Sequence, residues 1–276
     1  MTRTALIAGR GRLPLLLADR LAREGHDIVL AELEGFENLS STHDDVLRFR
    51  LERLVLYLDR LQDLGVTQAV FAGSVHRPRL DPALIDPATM QILPRIMAAM
   101  QQGDDGTLRE VIALMGEWGV RVVGAQDICP DLVAAPGILG SHMPKASDKQ
   151  DAARGFDILR VTEHADIGQA CVVARGQCLA VEALPGTDAM LAHLAVLRDT
   201  HPALPAGGVF CKAPKPGQDR RIDLPAIGPE TVSAVQACGL HGIAFEAGGV
   251  LLIDRAEMEA RAEALGVFLW AREQPE

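Results

Sequence analysis

Residues 4–23 read TALIAGRGRLPLLLADRLAR, and their pattern predicts the fold class of the first half of the chain. The short apolar run Thr4–Ala8 predicts a strand, Gly9-Arg10-Gly11 predicts a tight turn, and Leu13–Arg23 predicts a helix. A strand that passes through a glycine turn into a helix is the first step of an alternating α/β fold.

The same alternation continues through the first half of the chain. Asp27–Leu33, Thr67–Ala72 and Val120–Val123 predict further strands. Between the second and third of the predicted strands, the amphipathic segment Leu47–Leu64 predicts one long helix. Strands that alternate with helices favour an open parallel sheet, so this half of the chain is predicted to be Rossmann-like.

The second half of the chain predicts a mixed sheet. After a helix over Ser147–Thr162, the strands Gln169–Ala174 and Cys178–Ala183 are joined by Arg175-Gly176, which predicts a hairpin. Prolines and glycines between the halves predict a linker. The predicted organisation is therefore α/β with two domains: a Rossmann-like domain over 1–130, a linker over 131–146 and an α/β domain with a mixed sheet over 147–276.

The composition excludes several classes of protein. A net charge of −10 and a pI near 5.3 argue against a broad nucleic-acid surface. The five cysteines form no CxxC pair, so neither a zinc site nor a disulfide framework is expected, and reduced thiols fit a cytoplasmic location. No apolar run approaches the roughly 20 residues of a membrane span, and the first apolar stretch is too short for a signal peptide.

Basic residues are concentrated in residues 212–228, KAPKPGQDRRIDLPAIG. Lysine and arginine suit phosphate oxygens, and aspartate suits a hard cation such as Mg²⁺. If Arg221–Leu224 is extended, Arg221 and Asp223 share one face. A charged surface turn with local salt bridges is the alternative. The ionic residues concerned are Lys212, Lys215, Asp219, Arg220, Arg221 and Asp223.

Small residues follow two of the predicted strands. Gly9 and Gly11 follow the first strand, and Gly73 and Ser74 follow the strand that ends at Ala72. Ligands of open α/β sheets bind at the carboxyl ends of strands, so these residues are candidates for close approach to a phosphate. The alternative is a tight turn that binds no ligand.

A nicotinamide site is a second alternative for this turn. Glu32 and Glu34 fall roughly where a ribose-binding acid would lie. The dinucleotide fingerprint, however, needs a glycine where this chain has Pro14.

Acidic and hydroxyl residues precede two predicted helices. Thr187 and Asp188 precede the helix Ala189–Arg198, and Asp104 precedes the helix Thr107–Trp118. Helix capping explains all three residues. In the functional alternative, Thr187 donates to a phosphate, Asp188 or Glu182 assists a metal, and Asp104 or Asp105 contacts a ligand or a metal.

Short motifs in a defined order resemble, over nearly the whole chain, the UDP-2,3-diacylglucosamine diphosphatases of the LpxI type. They are Leu6-Ile7-Ala8-Gly9, Phe71-Ala72-Gly73-Ser74-Val75, Gly103-Asp104-Asp105, Asp166-Ile167-Gly168-Gln169, Gly186-Thr187-Asp188-Ala189-Met190, Lys212-Ala213-Pro214-Lys215-Pro216, Gln218, Arg221 and Asp223-Leu224-Pro225.

This resemblance implies a Mg²⁺-dependent hydrolase of lipid A synthesis in a Gram-negative bacterium. Such an enzyme splits UDP-2,3-diacylglucosamine into UMP and 2,3-diacylglucosamine 1-phosphate, with the lipid held between two domains and catalysis assigned to 147–276. The essential aspartate falls on Asp223, and the expected metal ligands are Asp223, Asp188 and Asp219. The expected substrate-binding residues are Gly9, Gly11, Gly73, Ser74, Asp104, Gln169, Thr187, Lys212, Lys215, Gln218 and Arg221.

The expected partner is a lipid-linked nucleotide sugar, and no nucleic acid is expected. A peripheral contact with the inner membrane and a homodimer stay open. Met90, Met97 and Met100 lie in one predicted helix, where methionine fills a core or lines an acyl tunnel. The alternatives to hydrolysis are a non-catalytic binding protein for the nucleotide-sugar lipid and an NAD(P)-dependent oxidoreductase.

Overall fold

The computed structural model describes residues 2–75, 80–101, 104–163, 165, 167–215 and 217–273. The chain divides into two compact units. Unit 1 comprises Met1–Pro130 together with Asp219–Asp223, and unit 2 comprises Asp131–Gln218 together with Leu224–Glu276. A short segment from the second half of the chain thus belongs to unit 1, and the boundaries predicted from the sequence do not include it.

Unit 1 is built on a parallel sheet. Its strands are β1 (Thr4–Ala8), β2 (Ile28–Leu33), β3 (Val46–Phe49), β4 (Gln68–Ala72) and β5 (Arg121–Val123). Its helices are α1 (Arg12–Arg23), α2 (Leu54–Asp63), α3 (Pro87–Gln101), α4 (Asp104–Glu117) and α5 (Ala125–Ile128). In the described part of the chain, all strand pairs of this sheet are parallel, in the order β3-β2-β1-β4-β5. The predicted Rossmann-like parallel sheet is confirmed.

The segment Leu47–Leu64 differs from the prediction. Its first residues form the edge strand β3, which pairs with β2 from Leu30↔Val46 to Leu33↔Phe49. The helix α2 begins only at Leu54. The prediction of one helix was wrong because strand pairing and a ring contact override the local periodicity: Phe49 stacks on Tyr57 of α2 with ring centroids 3.9 Å apart.

The apolar core of unit 1 includes a residue from the segment Asp219–Asp223. Buried side chains of the sheet, α2 and α4, including Leu58, Leu61 and Leu114, form this core. The partly buried side chain of Ile222 packs against it. Burial of an apolar side chain is the main stabilising contribution to such a contact. A hydrogen bond of 3.0 Å from the side-chain amide of Gln126 to the carbonyl of Arg220 also joins Asp219–Asp223 to unit 1.

Unit 2 contains a mixed sheet, as predicted. Its longer sheet uses β6 (Gly137–Leu139), β7 (Ala170–Ala174), β8 (Gln177–Val181), β9 (Val209–Lys212), β11 (Gly242–Glu246) and β13 (Phe268–Arg272), and a separate parallel pair uses β10 (Ala226–Ile227) and β12 (Leu251–Leu252). Its helices are α6 (Ala146–Glu163), α7 (Gly186–Thr200), α8 (Pro229–Ala237) and α9 (Arg255–Leu265).

In the longer sheet, the order within the described residues is β6-β13-β11-β9-β7-β8. The strands β9, β11 and β13 are parallel, whereas β6, β7 and β8 pair antiparallel with their neighbours. The hairpin between β7 and β8 turns at Arg175 and Gly176, whose φ angles are 50° and 74°. Two successive positive φ angles characterise the type I′ turn, which confirms the predicted hairpin.

The segment 131–146, predicted as a linker, contributes to the sheet of unit 2. Its strand β6 pairs antiparallel with β13, and the carboxylate of Glu263 accepts hydrogen bonds from the backbone N–H of Ser141 (3.2 Å) and from its hydroxyl (2.5 Å). The strand is only three residues long, and the prolines and glycines around it are typical of a loop, so the sequence pattern does not predict it.

The methionines of α3 do not all lie in a core. Met90 and Met97 are 48% and 53% exposed, whereas Met100 is half-buried. In the part of the chain that the structure describes, no helix is both long enough and apolar enough to cross a membrane.

We predict that Tyr57→Phe leaves unit 1 as stable or stabilises it by about 1 kcal/mol. The Tyr57 hydroxyl is buried and has no hydrogen-bond partner among the described residues, so its removal costs no bond there, while the ring contact with Phe49 is kept. The free energy of unfolding in urea measures this, with Tyr57→Ala as a control that loses about 3 kcal/mol or more. A loss above about 1 kcal/mol for Tyr57→Phe would mean that the hydroxyl has a partner.

Candidate functional site

In unit 1, the loops that follow β1 and β4 are joined backbone to backbone. Arg10 and Ser74 exchange two backbone hydrogen bonds of 2.9 Å, and the N–H of Gly9 donates to the carbonyl of Ala72 at 2.8 Å. A Cβ atom on Gly9 would lie 2.5 Å from the carbonyl oxygen of Ser74, and one on Gly73 would lie 2.5 Å from that of Arg10. Contact between the loops therefore accounts for glycine at positions 9 and 73.

Gly11 differs from these two glycines. Its φ angle is 109°, and a Cβ atom placed on it would meet no atom within 4 Å. It is the N-cap residue of α1 and, as a glycine, has no side chain that could cap the helix. Of the glycines predicted to bind substrate in this turn, Gly11 is the one whose surroundings leave space for a ligand.

Asn38 holds the glycine turn in place. Its side-chain amide donates to the carbonyls of Gly9 (3.0 Å) and Gly11 (2.8 Å). The carboxylate of Glu32 accepts the backbone N–H groups of Asn38 (3.1 Å) and Ser40 (3.2 Å). Sequence reasoning did not identify Asn38, because nothing local in the sequence relates it to a turn 29 residues earlier.

Glu32 and Glu34 are already engaged in unit 1. Glu32 is fully buried and also pairs with Arg48 at 3.3 Å, and Glu34 pairs with Arg50 at 2.5 Å. Burial raises the pKa of the Glu32 carboxyl, but hydrogen bonds from Ser40, Asn38 and Arg48 outweigh this effect, and the net shift is downward. Both carboxylates are thus already bonded to protein groups, so the geometry does not favour the nicotinamide alternative.

The segment Asp219–Asp223 is a tight turn and not the extended segment that the shared face of Arg221 and Asp223 required. The carbonyl of Asp219 accepts the N–H groups of Ile222 and Asp223, each at 3.2 Å. Its carboxylate accepts the backbone N–H of Arg221 at 3.0 Å. The turn forms because both the backbone and the side chain of Asp219 bind the residues that follow it.

Arg221 and Asp219 also form a two-pronged ion pair. The guanidinium donates from Nε at 2.9 Å and from Nη2 at 2.6 Å to the two carboxylate oxygens. Hydrogen bonding by Arg221 holds the pKa of the Asp219 carboxyl below its usual value. A metal or a substrate phosphate would have to compete with this pair. Asp223, two residues further on, has an exposed side chain.

In unit 2, Lys212 lies at the carboxyl end of β9 and is 6% exposed. Its ammonium donates to the hydroxyl of Thr187 at 2.5 Å and lies 3.8 Å from the Glu182 carboxylate, to which Thr187 donates at 2.9 Å. Burial lowers the pKa of Lys212, and the carboxylates of Glu182 and Asp188 oppose that effect. The side chains of Lys212, Thr187 and Glu182, here called the Lys212 cluster, lie beside the first turn of α7.

Hydrogen bonds of two glutamines stabilise the loop after β9. The amide of Gln169 donates to the side-chain oxygen of Gln218 at 2.6 Å, and the same oxygen accepts the backbone N–H of Lys215 at 3.2 Å. The carbonyl of Gln169 accepts the N–H of Ala213 at 3.0 Å. The structure thus brings together three of the residues predicted to bind substrate, Gln169, Lys215 and Gln218.

The predicted site residues are divided between the units. Unit 1 holds Gly9, Gly11, Gly73, Ser74, Asp219, Arg221 and Asp223, and unit 2 holds Gln169, Thr187, Asp188, Lys212, Lys215 and Gln218. The side chain of Asp104 lies outside what the structure describes. The chain passes from unit 2 into unit 1 after Gln218 and returns after Asp223, so the basic loop supplies residues to both units.

The described residues of neither unit include a group of three or more His, Cys, Asp or Glu side chains that could hold a metal. Asp188, Asp219 and Asp223 therefore do not form a ready-made three-carboxylate site, and Asp219 is used by Arg221. Mg²⁺ commonly binds through one or two carboxylates together with substrate phosphates. The exposed carboxylate of Asp223 is suited to be the protein ligand in such an arrangement.

We predict that Gly9→Ala destabilises the protein by about 2 kcal/mol or more, because the new methyl group meets the backbone of Ser74. Gly116→Ala is the matched control, since Gly116 lies in α4 and has open space around its Cβ position. We expect it to be neutral or to stabilise by up to about 1 kcal/mol. Urea unfolding of both variants checks this. Equal stability of Gly9→Ala and wild type would show that the loops do not require glycine there.

Comparison with known proteins identifies the family. Residues 3–132 match the model of the LpxI N-terminal domain, and residues 135–270 match that of the LpxI C-terminal domain. The chain is 34% identical over 271 residues to the UDP-2,3-diacylglucosamine pyrophosphatase LpxI of Caulobacter vibrioides, and the match covers 98% of this chain and 97% of that protein. The resemblance inferred from the motifs is confirmed, and the chain belongs to the LpxI family.

Proposed function

We propose that this protein hydrolyses the diphosphate of UDP-2,3-diacylglucosamine, and releases UMP and 2,3-diacylglucosamine 1-phosphate in lipid A biosynthesis. The observation that carries the proposal is the match to both LpxI domains and to a relative of that named activity over 98% of the chain. A shared fold does not by itself establish a shared reaction. The proposal therefore also needs residues that can neutralise charge and position the reacting groups.

Hydrolysis of a phosphoanhydride requires charge neutralisation and positioning. A bond forms between the oxygen of water and one phosphorus, and the bond between that phosphorus and the bridging oxygen breaks. Negative charge increases on the departing phosphate, which cationic and N–H donors stabilise. Lys212 supports this role because its ammonium is fixed by Thr187 and Glu182 and is largely shielded from water. Shielding from water strengthens its interaction with a phosphate.

Asp223 is assigned to the diphosphate as the catalytic carboxylate. Its backbone is fixed by the Asp219 turn, and its neighbour Ile222 packs against the core of unit 1. An exposed carboxylate on a fixed turn is suited either to hold Mg²⁺ or to orient the attacking water. Bound Mg²⁺ would supply positive charge to the phosphate oxygens. Arg221, Lys215 and Gly11 are the proposed additional phosphate contacts.

We predict that Asp223→Asn lowers the rate of UMP release by at least about a hundredfold. The amide keeps the size of the side chain but removes the charge that would hold a cation or accept a proton. The measurement is UMP formation from detergent-dispersed UDP-2,3-diacylglucosamine with Mg²⁺ present. Asp63→Asn, at the exposed end of α2, is the matched control and should keep the wild-type rate. A near wild-type rate for Asp223→Asn would remove this residue from the mechanism.

The Lys212 cluster allows a test that separates stability from chemistry. Lys212→Met leaves Glu182 without its counter-charge, so we expect a loss of about 3 kcal/mol of stability. The double variant Lys212→Met/Glu182→Gln removes both charges and should recover most of that stability, yet still release UMP at least about tenfold more slowly than wild type. Urea unfolding and initial rates are compared for both variants. A stable double variant with full activity would show that Lys212 has a structural role alone.

A further inference from the structure

Unit 1 contains a cavity that none of the residues assigned to the diphosphate lines. Its volume is about 600 Å³, within the range of small-molecule binding sites. This cavity is partly open to solvent, and it is lined by the edge strand β3, the first two turns of α2, and Glu34, Arg50, Arg53 and Leu84. A smaller cavity of about 270 Å³ adjoins it and shares Glu34 and Arg50 as lining residues.

The lining of the larger cavity carries more positive than negative charge, in a chain whose net charge is −10. Among the residues that the structure describes, four arginines and one carboxylate, Glu34, line it. Two of these arginines are neutralised, since Arg48 pairs with Glu32 and Arg50 pairs with Glu34. The other two lining arginines are Arg53 and Arg60.

Arg53 immediately precedes α2 and Arg60 lies in it, and both exposed side chains line the cavity. Nowhere in the described chain does the Arg60 guanidinium have a hydrogen bond or ion pair. The carboxylate of Asp86 attracts Arg53 electrostatically. That carboxylate already accepts hydrogen bonds from the backbone N–H groups of Ala88 and Thr89 and from the Thr89 hydroxyl. The guanidinium of Arg60 is therefore available to an anion, and the exposed guanidinium of Arg53 lines the same cavity. A guanidinium binds phosphate through two parallel N–H···O hydrogen bonds.

The rest of the lining is apolar. Phe49 and Tyr57 form a stacked pair on the wall. Leu56 and Leu84 also line the cavity while 49% and 38% exposed. A small polar anion bound by the arginines would leave the two half-exposed leucines in contact with water. An anion that carries alkyl chains would bury them. The combination is suited to an amphiphilic phosphate.

We infer that this cavity binds the phosphate headgroup of an anionic phospholipid, with Leu56 and Leu84 in contact with the adjoining methylene groups, and so attaches unit 1 to an anionic membrane surface. The occupant follows from charge complementarity and from the apolar side chains beside the arginines. This site is separate from the proposed hydrolysis. Attachment to a membrane would bring the protein close to a diacylated substrate, and this benefit rests on the proposed function.

The test uses the full chain and sedimentation with vesicles. Wild type should bind vesicles of phosphatidylcholine with about 30% phosphatidylglycerol at least tenfold better than pure phosphatidylcholine, and high salt should abolish the difference. Arg53→Gln/Arg60→Gln should weaken binding by about fivefold per arginine. The matched control is Arg23→Gln/Arg121→Gln, which removes the same charge from exposed positions on α1 and β5 and should stay within about twofold of wild type.

A second variant tests the apolar contribution without any change in charge. Leu56→Ser/Leu84→Ser should bind the anionic vesicles several-fold less well than wild type, and because both leucines are half-exposed the fold should tolerate it. Equal binding of wild type to both kinds of vesicle, or equal losses in the arginine variant and its control, would overturn the inference.

UMP release from detergent-dispersed substrate separates this inference from the proposed function. Arg53→Gln/Arg60→Gln should keep the wild-type rate there, because the membrane site is not needed when no membrane is present. Loss of that activity in the variant would make the cavity part of the substrate site and would overturn a separate membrane site. Vesicle binding by a wild type that releases no UMP would overturn the hydrolysis proposal alone.

Discussion

Ile222 packs against the apolar core of unit 1 although the chain on both sides of its turn belongs to unit 2. This contact and the hydrogen bond from Gln126 to the carbonyl of Arg220 hold Asp219–Asp223 in unit 1, and so help to position the proposed catalytic carboxylate. The hydrogen bonds of Asp219 to the next residues shape the turn, and the burial of Ile222 holds it in place. The position of Asp223 thus depends on a hydrophobic contact next to it in sequence.

The basic groups of the loop are held by partners before any substrate binds. Arg221 is held by Asp219, and Lys212 is held by Thr187 and Glu182. Side chains fixed in this way lose little further conformational freedom when they bind a phosphate. In the proposed reaction the substrate therefore exchanges one set of polar contacts for another, and much of the ordering of the site is already achieved by the fold.

Local sequence patterns predicted most of the fold and less of the site. Alternating apolar runs and glycine turns predicted the parallel sheet, and Arg175-Gly176 predicted the hairpin, because these features depend on neighbouring residues. The division of Leu47–Leu64 into β3 and α2 depends on pairing with β2, which no local pattern contains. Gly9 and Gly73 were noticed as strand-end glycines, but only the structure shows that each makes room for the other's loop. The roles of Asn38 and Ile222 depend on contacts distant in sequence and could not be predicted for the same reason.

The proposed conversion of a diphosphate into two monophosphates is best tested by phosphorus NMR of UDP-2,3-diacylglucosamine incubated with the wild-type protein and Mg²⁺. We expect the diphosphate resonances to disappear and the resonances of UMP and a sugar 1-phosphate to appear in equal amounts. If the substrate binds the protein while its diphosphate resonances persist, the chain does not hydrolyse it.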